Sequence, residues 1–289
     1  MASKTNKIKI KESIFRVLFM LAACVSIVAV IIICLFLLTN GLPAMHRIGW
    51  LDFLTGTTWK PGNEEFGILP MIVASIYVTA GALIIGVPLG LAAAVFMVFF
   101  CPKKLYKFFK PAVDLLAGIP SIVYGFFGLT ALVPFMQKFG GGGKSVLTAS
   151  ILLGIMILPT MINVSEASLR AVPDLYYDGS IALGTAHELS ILRVVIPAAK
   201  SGITAGVILA TGRAIGETLA VSMVAGNQAV MPFSLLKGVR TLTANVVLEM
   251  GYAADLHREA LIATAVVLFV FILLINICFS LIKKGDKAA

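Results

Sequence analysis

ITAGVILATGRAIGETLAVSMVAGN, residues 203–227, is long and apolar enough to cross a bilayer, yet it carries Arg213 and Glu217 near its middle. On insertion scales each charge at mid-membrane costs about 2.5–3.5 kcal/mol, so two of them together need a reason. At a separation of four on a helix, the two side chains share one face and can pair, and Gly212 and Gly216 lie on that face too. Gly202 to Gly206 and Gly212 to Gly216 both have the small-xxx-small spacing that lets membrane helices press their backbones together. The stretch reads as a bundle-lining helix with its charged pair facing inward. Two roles fit that pair. One is a structural ion pair that fixes helix packing. In the other, Arg213 contacts an anion crossing the membrane, a task suited to its planar, permanently charged fork.

The whole chain has the composition this reading requires. Of 289 residues, 59% are hydrophobic and 13% charged, and the mean hydropathy is +1.01, far outside the range of a soluble globular domain. In such a chain the net charge of +9 points to basic loops on one side of the membrane and does not imply nucleic acid. Cys24, Cys34, Cys101 and Cys278 include no CxxC pair, and His46, His187 and His257 lie far apart with no HExxH spacing. Disulfides, a metal site and metalloenzyme chemistry are therefore not expected. GGGGKS at 140–145 looks like the end of a phosphate-binding loop, but Lys138 stands where that motif requires its first glycine.

The chain order predicts a basic tail at 1–16, a first transmembrane helix at 17–38 and an external loop at 39–67. A five-helix core follows at 68–282, and a short tail at 283–289. The core spans are about 68–100, 113–137, 145–165, 203–227 and 260–282. Within the third, GIPSIVYGFFG (118–128) invites a break, because Pro120 removes a backbone donor and glycines flank it. A broken membrane helix is tolerated where it lines a cavity or is buried in protein. Ser121 and Tyr124 from this stretch, Asn163 from the fourth span and Thr218 beside Glu217 are candidate substrate-pathway residues, with ordinary helix packing the alternative for each. Six spans put both termini on one side of the membrane. That side collects 15 Lys and Arg against 7 on the other, which makes it cytoplasmic.

The segment 166–202 is then cytoplasmic. It is too polar to cross the membrane and reads as two short helices hinged at Gly184, a docking knob for a soluble partner. Pro173 is placed like a first-turn proline, with Asp174 and Asp178 near the positive end of the first helix. Here the sequence resembles the importer permeases of ATP-binding cassette systems, whose cytoplasmic loop has the form E-A-A-x-x-x-G, nine residues, then I-x-L-P. Asp178-Gly179-Ser180 stands in place of E-A-A, Gly184 is kept, and Val194-Val195-Ile196-Pro197 follows after nine residues. Gly179 inside a helix costs roughly 1 kcal/mol relative to alanine.

Three further stretches, EEFGILPMIVASIYVT (64–79), GIPSIVYGFFG and GRAIGETLAVSMVAGN (212–227), are similar to the PstC family of phosphate importer permeases over about residues 64–282. The resemblance implies an all-α integral membrane protein with six transmembrane helices, of the type I ABC importer permease (MetI-like) fold. It implies a permease with no catalysis and no cofactor of its own, with ATP and magnesium held by a partner ATPase. The partners implied are a sister permease PstA, an ATPase dimer PstB and an external phosphate-binding protein PstS, in the bacterial cytoplasmic membrane. In that family the arginine and glutamate of R-A-x-G-E-T are associated with transport, which points to Arg213 and Glu217. The coupling loop would be Pro173, Tyr177, Asp178, Gly179, Ser180, Gly184 and Pro197. A permease for another oxyanion, such as sulfate or molybdate, is the rival within the class. A channel or secondary transporter leaves the knob without purpose, and a membrane scaffold leaves the charged pair unexplained.

Overall fold

A computed structural model describes residues 2–285. In chain order its helices are α1 (Ala2–Ile48), α2 (Trp50–Thr55), α3 (Leu69–Val95), α4 (Lys103–Gly118), α5 (Ser121–Phe127), α6 (Val133–Gln137) and α7 (Val146–Arg170). There follow α8 (Asp174–Ala182), α9 (His187–Ser190), α10 (Ile196–Ala198), α11 (Lys200–Gly216), α12 (Leu219–Val224), α13 (Leu242–Glu249) and α14 (Asp255–Gly285). Two-residue strands β1 (Trp59–Lys60) and β2 (Glu65–Phe66) pair antiparallel.

Apolar runs become helices because lipid offers no partner for backbone N–H and C=O groups, which must then bond within their own segment. Among the described residues, Ile14–Ile48, Leu69–Phe100, Val146–Arg170 and Asp255–Phe279 are each long and apolar enough to cross. Two bent helix pairs meet the same length and composition requirement only when taken together, as a broken span or a re-entrant loop: Lys103–Gly118 with Ser121–Gln137 at 96° and His187–Ala198 with Lys200–Gly216 at 70°.

The centre of the bundle is the α3–α7 pair. Its backbones approach so closely that a methyl group on Gly86 would lie 2.6 Å from the Ile157 side chain, and one on Gly90 2.5 Å from Met161 Cβ. Any larger residue there would wedge the pair apart. The surrounding core is Ala74, Val78, Leu152, Met156, Ala210, Ala214 and Val221.

Two sequence expectations need correction. Residues 113–118 are not continuous with the helix that begins at Ser121. They end α4, which meets the Ser121–Gln137 segment nearly at a right angle, because the chain turns extended at Ile119 and Pro120 and proline cannot extend the helix. The predicted continuous helix over 203–227 is also interrupted: α11 stops at Gly216, Glu217 is extended at φ −69°, ψ 129°, and α12 begins at Leu219.

Candidate functional site: two broken helices beside Arg213

Both broken segments lie side by side. A Cβ on Gly125 of α5 would meet Ala220 Cα at 2.9 Å and Met223 Sδ at 2.8 Å, both in α12. Next to it, Gly128 is backed by Val224 and Leu152. GIPSIVYGFFG and GETLAVSMV, whose first residues are 98 positions apart, thus form one packed unit. Small residues make it possible.

A helix break in a membrane protein leaves backbone groups that need partners, and side chains supply them here. Glu217 Oε1 accepts the N–H groups of Thr218 at 3.2 Å and Ala220 at 3.1 Å. Thr218 Oγ1 donates to the Gly216 carbonyl at 3.2 Å, and Thr243 Oγ1 of α13 donates to the Glu217 carbonyl at 3.1 Å. Across the other break, the Tyr124 hydroxyl donates to the Leu116 carbonyl at 2.9 Å. Glu217, Thr218 and Tyr124 therefore hold the two bends.

The expected ion pair does not form. With the helix ending between them, Glu217 turns to the first turn of α12, and among the described residues no carboxylate lies within 4.0 Å of Arg213. Arg213 is half-buried. Gly212 and Gly216, on its helix, face open space, whereas Gly202 and Gly206 press onto Ser168 and Val164 of α7. One small-residue pair thus packs the bundle and the other leaves a bare surface beside a cation with no acidic partner among the described residues. Ser121 opens α5 and is half-buried near this unit.

Asn163 lies elsewhere. Its Oδ1 accepts from Lys110 Nζ at 2.8 Å and its Nδ2 donates to Asp114 Oδ1 at 3.1 Å, within a cluster that clamps α4 to α7. Buried Glu166 is the centre of that clamp, accepting Tyr106 Oη at 2.5 Å and Arg170 Nε at 3.0 Å. Lys110 Nζ stands 3.2 Å from Glu166 Oε2 but out of line for a hydrogen bond. A second buried acid, Glu249, receives Trp59 Nε1 at 2.9 Å, has His257 Nε2 at 2.8 Å and is paired with Arg240. Sequence reading missed both clusters. Glu166 opens the polar segment 166–202 and Glu249 lies between the last two predicted spans, where the signal in the sequence is an acid near an apolar run.

The knob consists of α8 and α9, with the turn between them at Gly184, φ +86°, a left-handed conformation that glycine adopts without strain. Pro173 precedes α8 as its N-cap. The two helices are stitched by Tyr177 Oη to His187 Nδ1 at 2.6 Å and by Ser180 Oγ to Ser190 Oγ. Pro197 is exposed in α10. Asp178 is exposed, and a Cβ on Gly179 would touch nothing within 4 Å, so D-G-S in place of E-A-A removes side chain without opening a cavity. Leu183, 89% exposed, and Leu175, 80% exposed, project from the knob.

Residues 86–285 match the family described as binding-protein-dependent transport system inner membrane component. The chain belongs to that family. It is 37% identical to a probable ABC transporter permease protein, YqgH, of Bacillus subtilis, over 95% of this chain and 93% of the relative. It is 34% identical to the phosphate transport system permease protein PstC of Mesorhizobium japonicum, over 93% and 89%. Among solved structures, an inward-facing form of the MetNI methionine ABC transporter superposes with a TM-score of 0.63 at 18% identity, covering 79% of this chain and 99% of that one. The fold is that of a type I importer permease, and the protein is a multi-pass inner-membrane transport permease, not an enzyme.

Proposed function

We propose that this chain is the PstC-type half of an ATP-driven importer of inorganic phosphate. The observation that carries the proposal is Arg213, half-buried at the end of a broken helix, with no acid among the described residues within 4.0 Å and with open space beside Gly212 and Gly216. A cation there, costly without a counter-charge, gains one when an oxyanion arrives. The names of relatives such as PstC support phosphate as that oxyanion. A sister permease PstA would cover the bare glycine surface, an ATPase dimer PstB would bind the nucleotide and magnesium, and PstS would deliver phosphate outside. Nucleotide-driven rocking of the two permease halves would pass through Pro173, Tyr177, Asp178, Gly179, Ser180, Gly184 and Pro197. The test is labelled phosphate uptake in a strain that depends on this chain. Saturable uptake that sulfate and molybdate do not compete supports the reading, and competition by either at equal concentration overturns phosphate as the cargo.

Two expected outcomes follow from the knob. Leu175→Asp with Leu183→Asp changes only exposed side chains, so membrane insertion and yield should match wild type. Copurifying ATPase and uptake should fall by at least tenfold, the order expected when charges replace interface anchors worth about 1–2 kcal/mol each. Unchanged copurification would place the ATPase contact elsewhere. For topology, Leu183→Cys and Phe233→Cys, both highly exposed, should label oppositely with an impermeant thiol reagent on intact cells lacking the four native cysteines. Leu183→Cys should stay unlabelled, because the Lys and Arg bias argues for a cytoplasmic knob and cytoplasmic termini. Ser180 would be a poor labelling site because it is buried against Ser190.

A further inference from the structure

Helix α4 divides its circumference into three stripes. At about 100° per residue, Tyr106, Lys110 and Val113 fall on one stripe, which packs on α7 through Glu166, Asn163 and Ile162. Clockwise from it come Lys103, Lys107 and Lys104, all exposed, with exposed Asp114 held by Asn163. The remaining stripe is Leu115, Phe108, Leu105, Leu116 and Phe109, all exposed, with Phe108 and Leu115 more than 70% so. The polar and the apolar stripes thus flank the protein-facing one on opposite sides.

The helix also makes a 96° angle with the Ser121–Gln137 segment it leads into. With the Ser121–Gln137 segment along the membrane normal, that angle lays α4 in the membrane plane. In that orientation, a protein-facing side between an apolar and a basic side is what a helix lying in the headgroup layer requires, with apolar side chains in the acyl region and lysines at the phosphates.

We infer that α4 is an interfacial helix that docks on anionic lipid: Phe108, Leu105 and Leu115 enter the acyl boundary, and Lys103, Lys104 and Lys107 bind anionic headgroups. Charge selects this occupant, since Lys104 borders the apolar stripe, Lys103 and Lys107 continue the basic side, and among the described residues only one acid, Asp114, shares that side. The Glu166 clamp gives lipid binding a consequence. It ties α4 to α7, whose C-terminal end leads directly into the knob, so headgroup binding would hold α4 against the helix that carries the proposed ATPase-facing element.

The test needs no transport measurement. Bimane is attached to Phe108→Cys, and separately to Leu115→Cys, in the full chain purified with its partner subunits and lacking the native cysteines. The protein is reconstituted with brominated phosphatidylglycerol or brominated phosphatidylcholine. The expected result is quenching by both lipids, with phosphatidylglycerol favoured. Each lysine near the surface contributes about fivefold to that preference, so Lys103→Gln, Lys104→Gln and Lys107→Gln together should abolish it while quenching by phosphatidylcholine persists. No quenching by either lipid would mean that protein, such as the sister permease, covers the stripe, and the inference fails. Equal quenching by the two lipids with the lysines intact would also overturn it. Neither outcome depends on whether phosphate is the cargo.

Discussion

Replacing Arg213 by lysine should lower phosphate uptake, measured as kcat/KM, by about 10- to 100-fold while leaving the protein in the membrane at normal yield. The charge is kept, so any loss reports geometry: an ammonium is a point cation, whereas the guanidinium presents two parallel donors to one oxyanion. One charge-assisted hydrogen bond is worth about 1.5–3 kcal/mol, which sets that range. Arg213→Ala should abolish uptake. Because no carboxylate among the described residues lies within 4.0 Å of Arg213, neither change strands a buried partner acid, and folding should survive. Normal uptake by Arg213→Lys would return the residue to a packing role.

Glu217→Gln separates charge from capping at the same break. The amide oxygen can still accept the N–H groups of Thr218 and Ala220 that Glu217 Oε1 now accepts, so the cap worth about 1 kcal/mol is kept and only the negative charge goes. Phosphate near neutral pH carries a hydroxyl proton that a carboxylate can accept. Sulfate carries none and meets repulsion. The variant should therefore transport phosphate and admit sulfate as a competitor, whereas arsenate, protonated like phosphate, should compete in both. Unchanged sulfate exclusion would leave Glu217 a capping residue alone.

The largest stability effect is expected at Glu249. Removing one partner of a buried pair costs about 3–5 kcal/mol because the other charge is left uncompensated, and Arg240, only 18% exposed at its side chain, would be that charge. Glu249→Ala also leaves Trp59 Nε1 without its acceptor. The midpoint of thermal denaturation in detergent should fall clearly, and Arg240→Met added to it should restore part of the loss. No shift in midpoint would mean the cluster is solvated.

Burial pushes the Glu249 carboxyl up, but hydrogen bonds from Trp59, His257 and Arg240, together with the Arg240 charge, outweigh it and hold the carboxyl below its ordinary value. A lowered acid contributes stability above its unfolded pKa of about 4.3 and loses it as pH falls through the folded value. Wild type should therefore destabilise on acidification below about pH 4.3, and Glu249→Gln should show a flatter profile there.

By itself the sequence determined the membrane class, the positions of most crossings, the basic bias of one side, and the break around Pro120. Each of these is a local property. Apolar run length, Lys and Arg counts, and proline and glycine placement act on the chain where they stand. The knob was legible for the same reason, since Pro173 and Gly184 act within a few residues. What Arg213 and Glu217 do to each other was not local, although only four positions separate them. A spacing rule assumes that the helix continues, and here Thr243, from the other side of a long loop, and Ala220 take the groups that a continuous helix would have kept for itself. The two buried acids were hidden likewise. Glu249 meets Trp59 across 190 positions and Glu166 meets Tyr106 across 60, and only tertiary packing brings such donors together. A buried carboxylate is stable only with those donors in place, so the fold decided which acids could be buried.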